Sequence, residues 1–293
     1  MIEYSIIDDS AIALGGTSLT LDAIVEPFKD KVEFIATSEL TPTHLQFKNP
    51  RCWILGNTMG MNQVSYATLV TLLQTKPTVK IDFDYGYCRH RGPTPHRILG
   101  KKECDCLTNP ETQSLKNIYS LIKEKASHIF YMSAGQREIH KNALGIPQDK
   151  TTVLSSCFLP KHFEKMRSLR EVPKNNKYAI IQGHPGWHSQ AKGVSESVSY
   201  ALDHNLEYEI ISTDTHDEML DKLSAYKGLI FLPIIEDTCP RITIEAKLLG
   251  LEVITSGNSQ HTTEEWWNGS LENIENYLKE RPSLFHQTLL NLI

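Results

Sequence analysis

Asp237 and Glu245 stand eight residues apart with Arg241 midway between them, in a run from Leu232-Pro233-Ile234-Ile235-Glu236-Asp237 through Thr238-Cys239-Pro240-Arg241 to Glu245-Ala246 and Gly250. The pattern reads as an apolar strand, an acidic loop, and a helix whose first turns carry Arg241 and Glu245. Two acids so spaced can face one ligand from two sides. The N–H groups at a helix start have no intrahelical partner, and with the helix dipole they favour phosphate oxygens. Thr238 adds a hydroxyl to that loop. A carboxylate beside a ribose can accept hydrogen bonds from both of its hydroxyls. The competing reading is an ordinary strand–loop–helix with acids on its surface.

A second loop of the same kind follows the apolar run Ile180-Ile181: Gln182, Gly183, His184, then Lys192-Gly193. A cation at such a place can stabilise charge developing on a leaving group, although a solvated loop lysine would look the same. Near the start of the chain Gly15-Gly16 follows Asp8-Asp9, where a glycine pair lets backbone come close to a ligand or simply makes a turn. Ser133 to Gln136 and Ser155-Ser156 also fall just after apolar runs.

Two further segments carry reactive side chains. Asp82-Phe83-Asp84 spells the acid-x-acid pattern of metal-dependent transferases; we read it as a strand end whose acids alternate outward, with Asp84 a candidate acceptor-side base. The stretch from Cys88 to Cys106 holds Arg89, Arg91, Arg97, Lys101 and Lys102, five cations in fourteen residues. With His90 they suit the phosphates of a polyanionic acceptor. Cys88, His96, Cys104 and Cys106 have the right chemistry for zinc ligands, but Cys-x-Cys lacks the usual tight loop of a zinc knuckle. A solvated basic loop is the third reading.

Alternating strands and helices must position these groups. Strands are expected at 2–7, 32–36, 52–55, 78–83, 128–132 and 152–154, then at 178–182, 208–212, 228–232 and 252–255. Helices are expected at 18–25, 66–73, 112–126, 136–144, 194–204, 217–225, 241–249, 271–278 and 284–292. Such alternation implies parallel sheets covered on both faces. The charged stretch 161–177, with Pro173 and Asn175-Asn176, predicts a linker. The chain of 293 residues then divides into an N-terminal domain (1–168), a second Rossmann-like domain (175–270) and terminal helices (271–293). Ligands of open α/β sheets bind beyond the carboxyl ends of the strands, so a cleft between the two sheets is expected. Trp266-Trp267 reads as packing where the terminal helices cross back.

Composition narrows the class. Hydrophobic residues are 40% and charged residues 22% of the chain, and the formal charge is −5. That is a globular profile with no overall bias toward nucleic acid or an anionic membrane. No run approaches the roughly 20 apolar residues of a membrane span. The N-terminus lacks a signal-peptide plan, so the expected compartment is the cytoplasm, that of the host for a viral protein. Six cysteines do not make a disulfide scaffold at this length.

The segment from Asp237 to Gly250, with Val253-Ile254-Thr255 after it, resembles the donor-site motif of retaining GT-B glycosyltransferases of the large family-4 group. The match is an acid, seven residues, then Glu-Ala and a Gly. Lys192-Gly193 is similar to that family's Lys-Gly element, and Gly15-Gly16 to its diglycine. The resemblance implies a GT-B fold: two Rossmann-like parallel-sheet domains facing across a cleft, with C-terminal helices crossing back. It implies a nucleoside-diphosphate sugar donor, a UDP-sugar first, with no obligatory metal. Glu245 would hold the ribose, Asp237 would lie near the sugar and phosphates, and Lys192 and Arg241 would steady the leaving group. Gly183, His184 and Thr238 complete the expected donor contacts. Asp stands where the family usually has Glu, and Pro240 where it usually has Gly. No Arg occupies the diphosphate loop, so either His184 or His188 substitutes or Arg241 does the work.

The compact length resembles that of glycosyltransferases encoded by tailed phages, some of which glycosylate hydroxymethylated cytosine in DNA. An acceptor hydroxyl on such DNA, reached through Arg89, His90, Arg91 and Arg97, is one expectation; a glycan or lipid-linked acceptor is the other. The transferred group would be a hexosyl or pentosyl residue. A GT-B-shaped nucleotide-sugar epimerase and a silent binding protein remain as alternatives. Donor hydrolysis, sugar interconversion and binding without turnover distinguish the three. The sequence leaves the oligomeric state open.

Overall fold

The structure is a computed structural model and is described for residues 2–9, 15–183 and 190–292. The chain divides into two compact units: residues 1–157 with 281–293, and residues 158–280.

The first unit is built on six parallel strands: β1 (Tyr4–Asp8), β2 (Val32–Ala36), β3 (Cys52–Leu55), β4 (Thr78–Asp82), β5 (His128–Tyr131) and β6 (Thr151–Val153), in the order β2-β1-β3-β4-β5-β6. Every residue of β1, β3, β4 and β5 is buried. β3 is continuously apolar because helices cover both faces of a parallel sheet, while β1 and β4 also bury Ser5, Asp8, Lys80 and Asp82. The helices are α1 (Gly16–Val25), α2 (Pro42–Phe47), α3 (Gln63–Thr75), α4 (Pro93–Gly100), α5 (Gln113–Lys125) and α6 (Ala134–Leu144). Leu69, Leu72, Ile118 and Ile122 pack from α3 and α5 against Trp53, Leu55 and Ile129 of the sheet.

The second unit holds four parallel strands, β7 (Tyr178–Ile181), β8 (Tyr208–Ile211), β9 (Gly228–Phe231) and β10 (Glu252–Thr255), in the order β10-β9-β7-β8. Its helices are α7 (Pro160–Leu169), α8 (Val194–Asp203), α9 (His216–Leu223) and α10 (Arg241–Leu248). The last helix, α11 (Leu271–Leu292), begins in this unit, and its residues from Arg281 onward belong to the first.

All ten expected strands form. Three helices form where none was expected, and each begins with proline: α2 at Pro42, α4 at Pro93 and α7 at Pro160. Proline at the first helical position gives up an N–H that has no partner there anyway. α7 occupies residues whose charge predicts a linker, because its inner face still buries Phe163 and Met166. α11 runs unbroken through Pro282, where two helices are expected. The proline forfeits one backbone hydrogen bond, while Leu278, Phe285 and Leu289 are completely buried on either side of it. Among the described residues no helix is long and apolar enough to cross a membrane.

Candidate functional site

Strand order reverses once in each sheet, and chain ends leaving such a point open a crevice at the carboxyl edge. In the second sheet the reversal falls between β7 and β9. Gly183 lies just past β7, Lys192 lies in the turn before α8, and the loop after β9 carries Asp237 and Thr238. Of the expected donor residues, Lys192 and Asp237 meet there. His184 lies outside the described residues, as does His188.

The two loops are tied by backbone. Ile234 N donates to Ala191 O (3.2 Å). Gly193 has φ +71°, and a Cβ there would lie 1.7 Å from the Leu232 carbonyl oxygen. Only glycine fits this close approach, which sets Lys192 beside the acidic loop. Lys192 Nζ lies 2.5 Å from Asp237 Oδ2, with the lysine side chain 44% and the acid 13% exposed. Asp237 is itself fixed by the loop after β10: its N–H donates to Asn258 O (2.8 Å) and its C=O accepts from Gln260 N (3.0 Å). Thr238 is buried, and Gly183 is exposed, with no described residue within 4 Å of where a Cβ would stand.

Glu245 lies on α10 and is buried. Its Oε1 accepts from Arg241 Nε (2.9 Å) and lies 2.8 Å from His216 Nε2. Burial pushes its carboxyl up, but His216 and Arg241 outweigh that and hold it below the ordinary value. The Arg241 guanidinium sits 3.7 Å from the Phe158 ring centre, and its Nη2 donates to His162 Nδ1 (3.1 Å). Burial, with the Arg241 charge, drops His162 to about 4, so this ring is neutral and accepts. Arg241 is thus enclosed by protein groups of its own unit. His162 and His216 are functional candidates that the sequence reading missed; they lie 79 and 29 residues from their partners.

Trp266 and Trp267 pack inside the second unit. Trp266 stacks on Tyr277 (4.8 Å, 9°), and Lys247 Nζ lies 4.1 Å over the Trp267 ring.

In the first unit the reversal falls between β1 and β3. Asp8 Oδ2 accepts from Asn57 N (2.6 Å), and Asp9 accepts from Met59 N (2.7 Å) and Gly60 N (3.0 Å). A Cβ on Gly56 would lie 1.9 Å from Asp8 Oδ2, so this crevice too is closed over a glycine. Gly15 is extended (φ −179°) and caps α1, which Gly16 begins. Among the described residues nothing crowds Gly15.

The acids at the end of β4 do not alternate outward. Asp82 is buried, with Lys80 Nζ at 3.1 Å, His140 Nε2 at 3.0 Å and the Tyr119 hydroxyl donating at 2.9 Å. Burial raises its pKa, but Lys80 and His140 prevail and hold it at about 2. Lys80 and His140 are what make an inward carboxylate affordable. Asp84 differs: burial lifts it to about 6 against the pull of Arg91, whose Nη1 lies 3.5 Å from Asp84 Oδ2. Gln136 positions this end of the strand, donating through Nε2 to the carbonyls of Asp82 and Asp84 (both 2.8 Å).

The basic loop follows Asp84. Arg91 also approaches Asp9 (3.7 Å), Arg89 pairs with Glu111 (3.4 Å), and Lys102 pairs with Asp105 (2.6 Å). Arg97 and Lys101 are exposed, and His90 is half-buried with its ring against His96 (4.7 Å). Cys88, His96, Cys104 and Cys106 come together, each offering an atom within 4.8 Å of the others.

No family model matches the chain, and no curated protein matches it in sequence. Solved structures do match in fold. Sucrose-phosphate synthase from Thermosynechococcus elongatus superposes with TM-score 0.60 at 10% identity, over 99% of this chain and 94% of that one. HepE from Anabaena, crystallised with UDP and glucose, gives 0.53 at 14% identity over 94% and 89%. An alpha-glucosyltransferase in complex with UDP gives 0.52 at 10% identity over 98% and 90%. With its two parallel sheets of six and four strands and their flanking helices, the chain has the GT-B glycosyltransferase fold.

Proposed function

We propose that the protein is a glycosyltransferase that uses a UDP-sugar and transfers the sugar to a hydroxyl on a polyanionic acceptor, with 5-hydroxymethylcytosine in DNA as the first candidate. The carrying observation is the convergence of Lys192 and Asp237 at the strand-order reversal of the second sheet, with Glu245 on the helix that follows. The UDP bound in the HepE and alpha-glucosyltransferase structures supports the choice of nucleotide.

In this reading the bond between the anomeric carbon and the diphosphate oxygen breaks as the acceptor oxygen bonds to that carbon. Lys192 and the N–H groups at the start of α10 take up the charge on the departing diphosphate. Glu245 accepts from the ribose hydroxyls. Arg241, held between Phe158, Glu245 and His162, acts as a positioning residue for Glu245. Asp84 receives the acceptor's proton, a task suited to a carboxyl raised to about 6. No metal is required for these steps. Exposed Arg89, Arg97 and Lys101 supply cations for acceptor phosphates.

The test is a panel of nucleotide sugars screened by thermal shift, followed by mass spectrometry of DNA duplexes with and without hydroxymethylcytosine. Stabilisation by a UDP-sugar and a hexose or pentose mass added only to the modified duplex are expected. Transfer to a glycan but not to DNA would overturn the acceptor assignment alone. Interconversion of free UDP-sugars would replace transfer by epimerisation. Absence of stabilisation by any nucleotide sugar would sink the whole reading.

A further inference from the structure

The basic segment between β4 and α5 is folded around its own sulfur atoms. Cys88 Sγ lies 3.5 Å from Cys104 Sγ, 3.7 Å from Cys106 Sγ and 3.5 Å from His96 Nδ1, and Cys106 Sγ lies 3.4 Å from the same nitrogen. Zinc–sulfur bonds of about 2.3 Å and zinc–nitrogen bonds of about 2.0–2.1 Å, arranged tetrahedrally, give ligand edges of about 3.8 Å (S to S) and about 3.5 Å (S to N). These four of the six edges match such a tetrahedron to about 0.3 Å, and the four ligand atoms all lie within 4.8 Å of one another. Cys88, His96 and Cys106 are buried and Cys104 is half-buried.

The surroundings fit as well. His96 offers Nδ1 inward, while its Nε2 faces Asp105 Oδ1 at 3.4 Å, the carboxylate–histidine pairing that fixes a ligand ring. Asp105 is held in turn by Lys102 Nζ (2.6 Å) and Asn109 Nδ2 (3.1 Å). The helix that delivers His96 is bracketed by two left-handed non-glycine residues, Arg91 (φ 60°) and Lys101 (φ 53°). Strained backbone of this kind persists where other bonds over-determine it.

We propose that Cys88, His96, Cys104 and Cys106 bind one structural zinc ion that staples the basic loop to the end of β4. Binding displaces three thiol protons and leaves a Zn(thiolate)₃(imidazole) centre with a net charge of −1. Arg89, Arg91, Arg97, Lys101 and Lys102 are grouped in this one segment and offset that charge. Four protein ligands leave no open position, so the ion orders Arg91 and its neighbours and does not act on substrate. The spacing is irregular for a zinc knuckle, because α4 carries the second ligand and a Cys-x-Cys pair closes the set.

The experiment uses the full chain, purified under reducing conditions without chelator. Metal analysis should find about one zinc per chain. Cobalt added to demetallated protein should give the intense visible bands of tetrahedral thiolate coordination. Cys104→Ser and His96→Ala should each lose the bound zinc, and Cys157→Ser should retain it. Should a ligand variant fail to fold, the cobalt titration of the parent chain still decides. Zinc near zero with no cobalt bands, or a disulfide between Cys88 and Cys104 or Cys106 in the unreduced protein, would overturn the proposal.

Discussion

Lys192 Nζ lies 2.5 Å from Asp237 Oδ2, joining the two loops that leave the middle of the second sheet. The lysine is nearly half exposed, so the pair contributes little to stability. In the proposed reading its value is positional: Asp237 holds the ammonium where the donor diphosphate is placed. Lys192→Ala should cut kcat by about 10²–10³-fold, the usual loss when one donor to developing charge is removed, with a smaller change in donor KM. The measurement is steady-state kinetics with a saturating acceptor. A purely higher KM at unchanged kcat would show that the lysine only binds.

Gly193 makes that placement possible. A methyl at this position meets the Leu232 carbonyl oxygen at 1.7 Å and must also hold φ +71°. The backbone conformation alone costs a non-glycine residue about 1–3 kcal/mol, and the clash adds to it by pushing the loops apart. Gly193→Ala should lower the urea midpoint and weaken UDP binding together. UDP affinity equal to the parent's would mean that the close approach of the loops does not shape the donor site.

Glu245 shares one oxygen between His216 and Arg241. Removing the charge leaves Arg241 buried without its counter-ion, a loss of about 3–5 kcal/mol for a broken buried pair. Stability cannot therefore separate ribose binding from packing, but ligand choice can. Glu245→Gln should weaken UDP at least tenfold while leaving 2′,3′-dideoxy-UDP nearly unaffected, measured by calorimetry on the folded fraction. Equal losses for both nucleotides would reduce Glu245 to an anchor for Arg241.

Most strands were legible because β1, β3, β5, β7 and β9 are short, mainly apolar runs, the mark of parallel strands covered on both faces. The loops that carry Asp237 and Lys192-Gly193 were legible as strand–helix connections because they stand close to apolar strand ends, whereas their role as a donor site rests on the proposed function. Helices that open on Pro42, Pro93 and Pro160 were hidden by a residue that reads as a breaker everywhere except the first helical position. Partners were hidden by distance: nothing local in Arg241 points to a histidine 79 residues away. The inward turn of Asp82 was hidden likewise, because its acceptability depends on His140 from α6.

His162 gives stability a pH dependence of known sign. Burial, then the Arg241 charge, lowers its folded pKa from 6.5 to about 4. The unfolded chain thus takes up a proton at higher pH than the folded one, so the contribution is full above about 6.5 and is lost as pH falls through about 4. His261, lowered to about 3 by burial, acts in the same direction. Urea midpoints measured from pH 7.5 to 4.5 should fall, and the fall should be smaller in His162→Gln, whose amide oxygen can still accept from Arg241. Parallel curves for the two proteins would show that His162 is protonated without cost.

Asp84 should govern the activity at low pH. Its carboxyl is lifted to about 6 by burial, with Arg91 opposing and Asp82 adding to the rise. A base works only once deprotonated, so kcat/KM should climb tenfold per pH unit below about 6 and level off above it. Asp84→Asn should lose most of the rate and all of that limb. Arg91→Gln removes the cation 3.5 Å away and should move the limb to higher pH without abolishing turnover. The paired shift is the informative part, because a merely structural acid would lose activity on substitution yet leave the limb of the Arg91 variant where it was. A limb fixed in position by both the parent and Arg91→Gln would assign the proton to another group.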